Sequence, residues 1–95
     1  MAAVGVLTLE LRLEDSHSLK DKRHVVESLK DRLRHKFNVA VAEIEYLDLW
    51  QRAAVAAVTV SSDRTHAQKV LQSVEDEAAA LLGGSLAGTT VEWLA

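Results

Sequence analysis

Apolar and polar residues alternate strictly near the start of the chain. Leucine occupies every second position from Leu7 to Leu13, and the positions between hold threonine, glutamate or arginine. Successive side chains of a β-strand point to opposite faces, so this period of two predicts a half-buried first strand. Its leucines are expected to face the core.

A helical period follows the first strand. Apolar residues recur at spacings of seven, three and four from Leu19 to Phe37, which predicts a helix that begins near Leu19 and buries one stripe. The stripe contains Leu19, Val26, Leu29, Leu33 and Phe37, with Val25 at its edge. Ser18 and Asp21 have the spacing of a capping box. Asn38 is expected to end the helix, since asparagine tolerates the left-handed conformation just past a C-cap.

Two segments rich in valine and alanine come next. Residues 39–48 and 52–61 have roughly alternating polarity, which is typical of strands. The short connection 49–51 between them suits a hairpin. We therefore predict an antiparallel pair of strands here.

The last third of the chain predicts a helix and a short strand. Ser62 or Asp63 would cap the helix, and Gly83 with Gly84 would stop it. Its apolar residues at helical spacing are Ala67, Val70, Leu71, Val74, Ala78, Leu81 and Leu82. Residues 89–94 are expected to form the final strand.

The resulting order, βαββαβ, is typical of the ferredoxin-like sandwich, an α+β fold. In it, one four-stranded antiparallel sheet carries two helices on one face. Residues 1–95 fit a single domain of this kind. The first and third strands would be central. We expect the open face of the sheet, opposite the helices, to show Val4, Val6, Thr8, Glu10 and Arg12 beside Val39, Val41, Glu43 and Glu45.

Composition narrows the function classes. The chain has no cysteine, which excludes disulfides, thiolate metal sites and cysteine nucleophiles. No apolar run reaches the roughly 18 to 20 residues that span a bilayer, and the first residues do not resemble a signal peptide. We therefore expect a cytoplasmic protein with no membrane partner. Neither a catalytic triad nor a glycine-rich phosphate loop is visible, so no enzyme activity, cofactor, metal or small-molecule substrate is predicted.

Four short motifs together resemble the YlxP-like family of small uncharacterised bacterial proteins. They are SLKDKR at the start of the first helix, DRLRHKFNVAVAE, DLWQRA at the hairpin and VSSDR before the second helix. The resemblance implies a ferredoxin-like fold. Genes of this family often lie beside those for a translation initiation factor and a ribosome-binding factor, which implies translation or ribosome assembly as the setting.

Charge is segregated along the chain. Residues 16–37 hold seven of the eleven Lys and Arg and carry a net charge of about +4, against about −7 for the remainder. On a helical wheel, four of these cations form one stripe along the edge of the buried face: Lys20, Arg23, Lys30 and Arg34. Such a stripe suits phosphate contacts. Two alternatives stay open, a solvated face with ordinary ion pairs through Glu27 and a surface for an acidic protein.

Trp50 stands out in a chain with few aromatic residues. It lies in the hairpin connection beside Arg52. A tryptophan at a turn either packs under the end of the sheet or in a dimer, or is exposed and stacks on a base or enters a partner.

The candidate nucleic-acid-binding residues are therefore Lys20, Arg23, Lys30, Arg34, Trp50 and Arg52. They predict a non-enzymatic RNA- or ribosome-associated accessory factor that uses a basic helix. RNA-recognition domains of similar fold bind through aromatic residues on their central strands, which this chain lacks. The alternative is a homodimeric protein-interaction module that acts through its open sheet face and hairpin.

Overall fold

A computed structural model describes residues 1–95 of the chain. Its elements are β1 (Ala3–Arg12), α1 (Leu19–Lys36), β2 (Ala40–Glu45), β3 (Arg52–Ser61), α2 (Arg64–Leu82), a short 3-10 turn (Gly83–Ser85) and β4 (Leu86–Trp93). The predicted order βαββαβ is confirmed. The strands form one antiparallel sheet in the order β2-β3-β1-β4, so β1 and β3 are central, as expected.

The core lies between the sheet and the two helices. All four alternating leucines of the first strand region are buried, with Leu7 and Leu9 fully inaccessible to solvent. They pack with one stripe from each helix and with alternate residues of β3: Val26, Leu29, Leu33, Leu71, Val74, Ala78, Ala53, Val55 and Ala57. The apolar periodicity therefore located the core of both helices correctly. Two predicted residues are exceptions: Leu19 is half-buried at the start of α1 and lies outside this cluster, and Leu81 is 40% exposed at the end of α2.

The start of α1 matches its sequence signal and its end does not. The Ser18 hydroxyl accepts a 3.0 Å hydrogen bond from the Asp21 backbone N–H. The Asp21 carboxylate in turn accepts one, also 3.0 Å, from the His17 N–H. Asn38 does not take the left-handed conformation expected of it. The helix instead ends at Phe37, which has extended backbone (φ −134°) and packs its ring against the core.

The caps of α2 follow the sequence more closely. The Asp63 side chain accepts a 3.0 Å hydrogen bond from the Thr65 N–H, so Asp63 rather than Ser62 is the N-cap. Gly83 follows the last helical residue with a φ of 55°, a conformation that glycine adopts without steric cost.

The β2–β3 connection is longer than predicted. β2 ends at Glu45, so the connection comprises residues 46–51 rather than 49–51. A bulge interrupts the pairing of β2 with β3 just before this end. Tyr46 then takes left-handed backbone with a φ of 62°, and its carbonyl accepts a 3.0 Å hydrogen bond from the Leu49 N–H. The connection therefore contains a turn whose following side chains are exposed.

The β2 side chains on the open face are not the predicted ones, because the strand is shifted by one residue relative to the prediction. Ala40 and Ala42 of β2 pair with β3 residues that share the open face with Val6 and Thr8. Val39 and Val41, expected on the open face, instead pack against the core, and Glu43 also faces the helices. Of the four expected residues only Glu45 lies on the open side, where the bulge sets it opposite Ala54. A shift of one residue moves every side chain of a strand to the other face.

Candidate nucleic-acid interface

Lys22, in the first turns of α1, is buried, with only 2% of its surface exposed. Its Nζ donates hydrogen bonds to three backbone carbonyls of the β2–β3 connection and its border: Tyr46 at 2.7 Å, Leu47 at 3.3 Å and Arg52 at 3.3 Å. The Glu43 carboxylate lies 3.0 Å from the same nitrogen. An ammonium group has three N–H donors, so the three carbonyls satisfy its hydrogen bonding and Glu43 balances its charge. The contacts hold the connection against the start of α1.

Sequence reasoning missed the role of Lys22, although a signal was present. The residue lies three positions after Leu19 and four before Val26, which places it inside the apolar stripe of the helix. A lysine in such a stripe must either extend to solvent or find buried oxygen acceptors. Nothing local to α1 indicated which acceptors it would meet.

Further contacts fix the β2–β3 connection. The Arg52 guanidinium lies over the Tyr46 ring, 4.1 Å from its centroid, and donates a 3.1 Å hydrogen bond to its hydroxyl. The Gln51 side-chain amide donates to the carbonyls of Glu14 (3.2 Å) and Ser16 (3.1 Å) before α1. The connection is thus bound on both sides, and Arg52 already has an aromatic partner within the chain.

Two of the four predicted stripe cations are paired within α1. Lys30 Nζ lies 3.2 Å from a Glu27 carboxylate oxygen, and Arg34 Nη2 lies 3.2 Å from an Asp31 carboxylate oxygen. Both are i,i+3 pairs at the helix surface, a class that contributes only a few tenths of a kcal/mol. Their main effect here is to neutralise the C-terminal half of the stripe.

A second group of charges joins α1 to α2. Arg32 and Lys36 contact the two carboxylate oxygens of Glu77 at 3.0 and 2.6 Å. The pKa of the Glu77 carboxyl lies below its ordinary value, chiefly because Lys36 donates a hydrogen bond to it; Arg32 adds to the shift and partial desolvation opposes it. These two cations are therefore also engaged with an acidic side chain.

The unpaired cations and the exposed apolar residues meet at one end of the molecule. Lys20 and Arg23 are exposed and make no ion pair. In the connection held by Lys22, three large side chains reach solvent: Leu47 (59% exposed), Leu49 (47%) and Trp50 (52%). Trp50 shares a shallow depression with His17, which precedes α1. The indole is available to a partner rather than packed under the sheet.

We call the hairpin end the set Lys20, Arg23, Trp50 and Arg52. The structure brings these four predicted residues to the same end of the sheet, because the Lys22 contacts join the connection to the start of α1. Lys30 and Arg34 lie farther along the helix, about 10 and 16 Å from Arg23 at 1.5 Å per residue. Asp48 also lies in the connection. The charges of the hairpin end are therefore positive where α1 begins and of both signs in the connection.

Two further observations concern membrane-spanning helices and metal ligands. Neither α1 nor α2 combines the length and the apolar character needed to cross a membrane. No three His, Asp or Glu side chains are grouped as metal ligands would be.

Comparison with solved structures shows the fold. The structure superimposes on a dimeric ferredoxin-like protein of unknown function from Thermobifida fusca YX with a TM-score of 0.57, at 17% identity over 99% of this chain and 91% of that one. It superimposes on the de novo designed protein Foldit4 with a TM-score of 0.62, at 12% identity over 100% of this chain and 98% of that one. The ferredoxin-like prediction is confirmed.

Comparison of sequences shows the family. The chain is 41% identical over 71 residues to the uncharacterised protein YlxP of Bacillus subtilis (strain 168), which covers 75% of this chain and 77% of that protein. Residues 4–89 match the family described as protein of unknown function (DUF503). The chain therefore belongs to the DUF503 family, as its motifs indicated.

Proposed function

We propose that this protein is a non-enzymatic, cytoplasmic RNA-associated factor that binds single-stranded RNA with its hairpin end. The observation that supports this most directly is the exposed Trp50, which lies in the connection that Lys22 joins to the start of α1, where the unpaired cations Lys20 and Arg23 also lie. An exposed tryptophan and nearby free cations are the two features that sequence-tolerant single-strand binding requires. A ribosomal subunit is the RNA-containing partner that the family resemblance favours.

In this proposal the two kinds of side chain have different tasks. Lys20 and Arg23 contact backbone phosphates and supply affinity without sequence readout. Trp50 stacks on one unpaired base, a contact that contributes about 1–3 kcal/mol when measured by alanine substitution. Double-stranded RNA keeps its bases stacked on each other, so it could not make the Trp50 contact.

The ion pairs of α1 lower the expected salt dependence. Lys30 and Arg34 already have carboxylate partners, so two to three phosphate contacts remain at the hairpin end. Each contact to a single strand adds about −0.7 to the slope of log affinity against log salt, which gives a slope of about −1.5 to −2. A basic stripe with four free cations would give a steeper slope.

The open sheet face is a poor surface for the same ligand. The central strands β1 and β3 carry no aromatic residue, whereas RNA-recognition domains stack bases on theirs. Glu10 and Glu45 also lie on this face, and carboxylates repel phosphate. The hairpin end therefore supports RNA binding better than the sheet does.

The test is binding of a fluorescein-labelled single-stranded RNA of about 12 nucleotides, and of purified ribosomal subunits, at two potassium chloride concentrations. Trp50→Ala and the double variant Lys20→Glu with Arg23→Glu should each weaken binding at least several-fold. Arg34→Glu is the matched control, because it changes an α1 arginine that is already paired with Asp31. Binding that is equal in all variants, or no binding at low salt, would contradict the proposal.

A further inference from the structure

The open face of the sheet is apolar over most of its area and nothing in the chain covers it. Its accessible apolar residues come from three strands: Val4, Val6, Ala40, Ala42, Val58 and Val60. Ala54 and Ala56 lie between them and are buried among their neighbours, whereas Val60 is 60% exposed. Charged residues are confined to the end next to the hairpin and, in Glu92, to the β4 edge. A contiguous exposed patch of this kind marks an association surface.

The two central strands present matching side chains in matching rows. Val4 lies opposite Val60 and Val6 opposite Val58, while Arg12 lies opposite Arg52 at the other end. A twofold axis parallel to the strands and midway between β1 and β3 would place β1 of one copy over β3 of the other. Each valine row would then meet the valine row of the second copy. The valine rows are thus complementary to themselves, which is the property that a twofold interface requires.

The face is also large enough. β2, β3, β1 and β4 contain 6, 10, 10 and 8 residues. With strands about 4.8 Å apart and a rise of about 3.4 Å per residue, they present about 550 Å² per copy. Two copies would bury about 1,100 Å², which exceeds the roughly 1,000 Å² expected of a specific interface.

The charges at the hairpin side of the face are balanced. Glu10, Arg12, Glu45 and Arg52 make no ion pair within the chain, and they contribute two positive and two negative charges. In the twofold arrangement these four side chains would meet the same four of a second copy. Arginine and glutamate side chains are long enough to meet across sheets that lie about 10 Å apart. The axis would set Arg12 of one copy over Arg52 of the other, with Glu10 and Glu45 in the adjacent row, so the charges at this end of the interface sum to zero.

We propose that a second copy of this chain covers the open face, related by a twofold axis parallel to the strands. This axis leaves α1, α2 and three residues of the hairpin end, Lys20, Arg23 and Trp50, outside the interface, while Arg52 lies at its border. It also places the two hairpin ends at the same end of the dimer, because it does not exchange the ends of the strands. A dimer of this form would offer two hairpin ends, each with its Trp50, to one partner. Linked sites of this kind gain avidity without new contacts.

The test is the mass of the purified protein by sedimentation equilibrium at about 100 μM, a concentration at which a dimer with a Kd in the micromolar range is mostly associated. Wild type should show twice the 10.4 kDa chain mass. Val60→Glu, at a position 60% exposed, should show the chain mass. Val91→Glu is the matched control, because Val91 is 47% exposed on the opposite side of the sheet, and it should remain dimeric.

A second variant guards against a folding defect. Ala42→Glu places a charge on the same face from β2, and circular dichroism of each variant should retain the native helical signal. Wild type at the chain mass, or a dimer that survives both Val60→Glu and Ala42→Glu, would overturn the proposal. This test requires no RNA, so its outcome is independent of the function proposed for the hairpin end.

Discussion

Lys22 and Tyr46 are joined by a 2.7 Å hydrogen bond from the buried lysine Nζ to the tyrosine backbone carbonyl. Tyr46 is the one non-glycine residue with positive φ, a conformation that costs an L-residue about 1–2 kcal/mol. A hydrogen bond from a charged donor contributes about 1.5–3 kcal/mol, which is enough to offset that cost. A side chain of α1 thus stabilises the turn that carries the exposed residues of the hairpin end.

Replacing Lys22 should loosen this turn. Lys22→Met keeps the length of the side chain but leaves the Glu43 carboxylate without its cation and three carbonyls without their donor. Removing one partner of a buried ion pair costs about 3–5 kcal/mol, and we expect a loss of unfolding free energy toward the lower end of that range, since Glu43 is partly exposed.

Urea denaturation of Lys22→Met, Glu43→Gln and the double variant would measure the coupling between the two residues. Glu43→Gln alone should cost less, because the ammonium keeps its three carbonyls. A loss below about 1 kcal/mol for Lys22→Met would show that the contacts are not stabilising.

Gly5→Ala should destabilise the contact between β1 and the end of β4. A Cβ at Gly5 would lie 2.7 Å from the Trp93 ring and 2.8 Å from the Leu71 side chain. The Arg64 guanidinium also lies over the Trp93 ring, 4.4 Å from its centroid. A displacement of the Trp93 ring would therefore disturb this second contact. Overpacking of this kind costs about 1–3 kcal/mol.

Thermal unfolding followed by circular dichroism would check this expectation. Gly88→Ala is the matched control in the neighbouring strand, since its Cβ would meet only the Glu10 Cβ at 4.0 Å. Equal melting temperatures for the two variants would contradict the close packing of Trp93 on Gly5.

Leu29→Ala tests the phase of α1. Leu29 is fully buried, and truncation of a buried leucine costs about 2–5 kcal/mol. Leu49→Ala is the control, because Leu49 is 47% exposed in the connection and should change stability by no more than about 0.5 kcal/mol. The two variants remove the same atoms, so similar losses in urea denaturation would show that the buried stripe has been assigned wrongly.

The Glu77 contacts should make stability depend on pH. The pKa of this carboxyl is lowered from 4.5 in the folded protein, mainly by the Lys36 hydrogen bond. A lowered folded pKa means that the contribution is complete above the unfolded pKa and disappears as pH falls through the folded value. The difference in unfolding free energy between wild type and Glu77→Gln should therefore be largest near neutral pH and shrink well below pH 4.5.

Urea denaturation at neutral and acidic pH would measure that difference. Glu75→Gln on the same helix is the matched control, since Glu75 makes no ion pair. A difference for Glu77→Gln that is the same at both pH values would mean that its carboxylate contributes no proton-linked stability.

The hairpin end was only partly predictable. Basic residues near the start of α1 and a tryptophan in the connection are visible in the sequence, and both are exposed as a binding surface requires. Lys30 and Arg34 were placed in one stripe with Lys20, and the pair of Lys30 with Glu27 belongs to the solvated-face alternative, whereas the pair of Arg34 with Asp31 was not predicted. Which of several nearby charges pair depends on side-chain rotamers, which helical spacing does not specify.

Local sequence determined those features whose cause is local. The alternating leucines of β1, the buried stripes of both helices, the Ser18 cap and the Gly83 stop all follow from residues a few positions apart. Their causes are side-chain periodicity and hydrogen bonds within one turn. These local features were sufficient to predict the order βαββαβ and hence the fold.

Only the tertiary structure decided the face of β2 and the acceptors of Lys22. Val39 and Val41 alternate with Ala40 and Ala42, so both faces of β2 are apolar and only pairing with β3 selects the one that packs on the core. Lys22 finds its acceptors more than twenty residues along the chain. Both outcomes depend on long-range contacts that form when the chain closes on itself, so no local pattern could predict them.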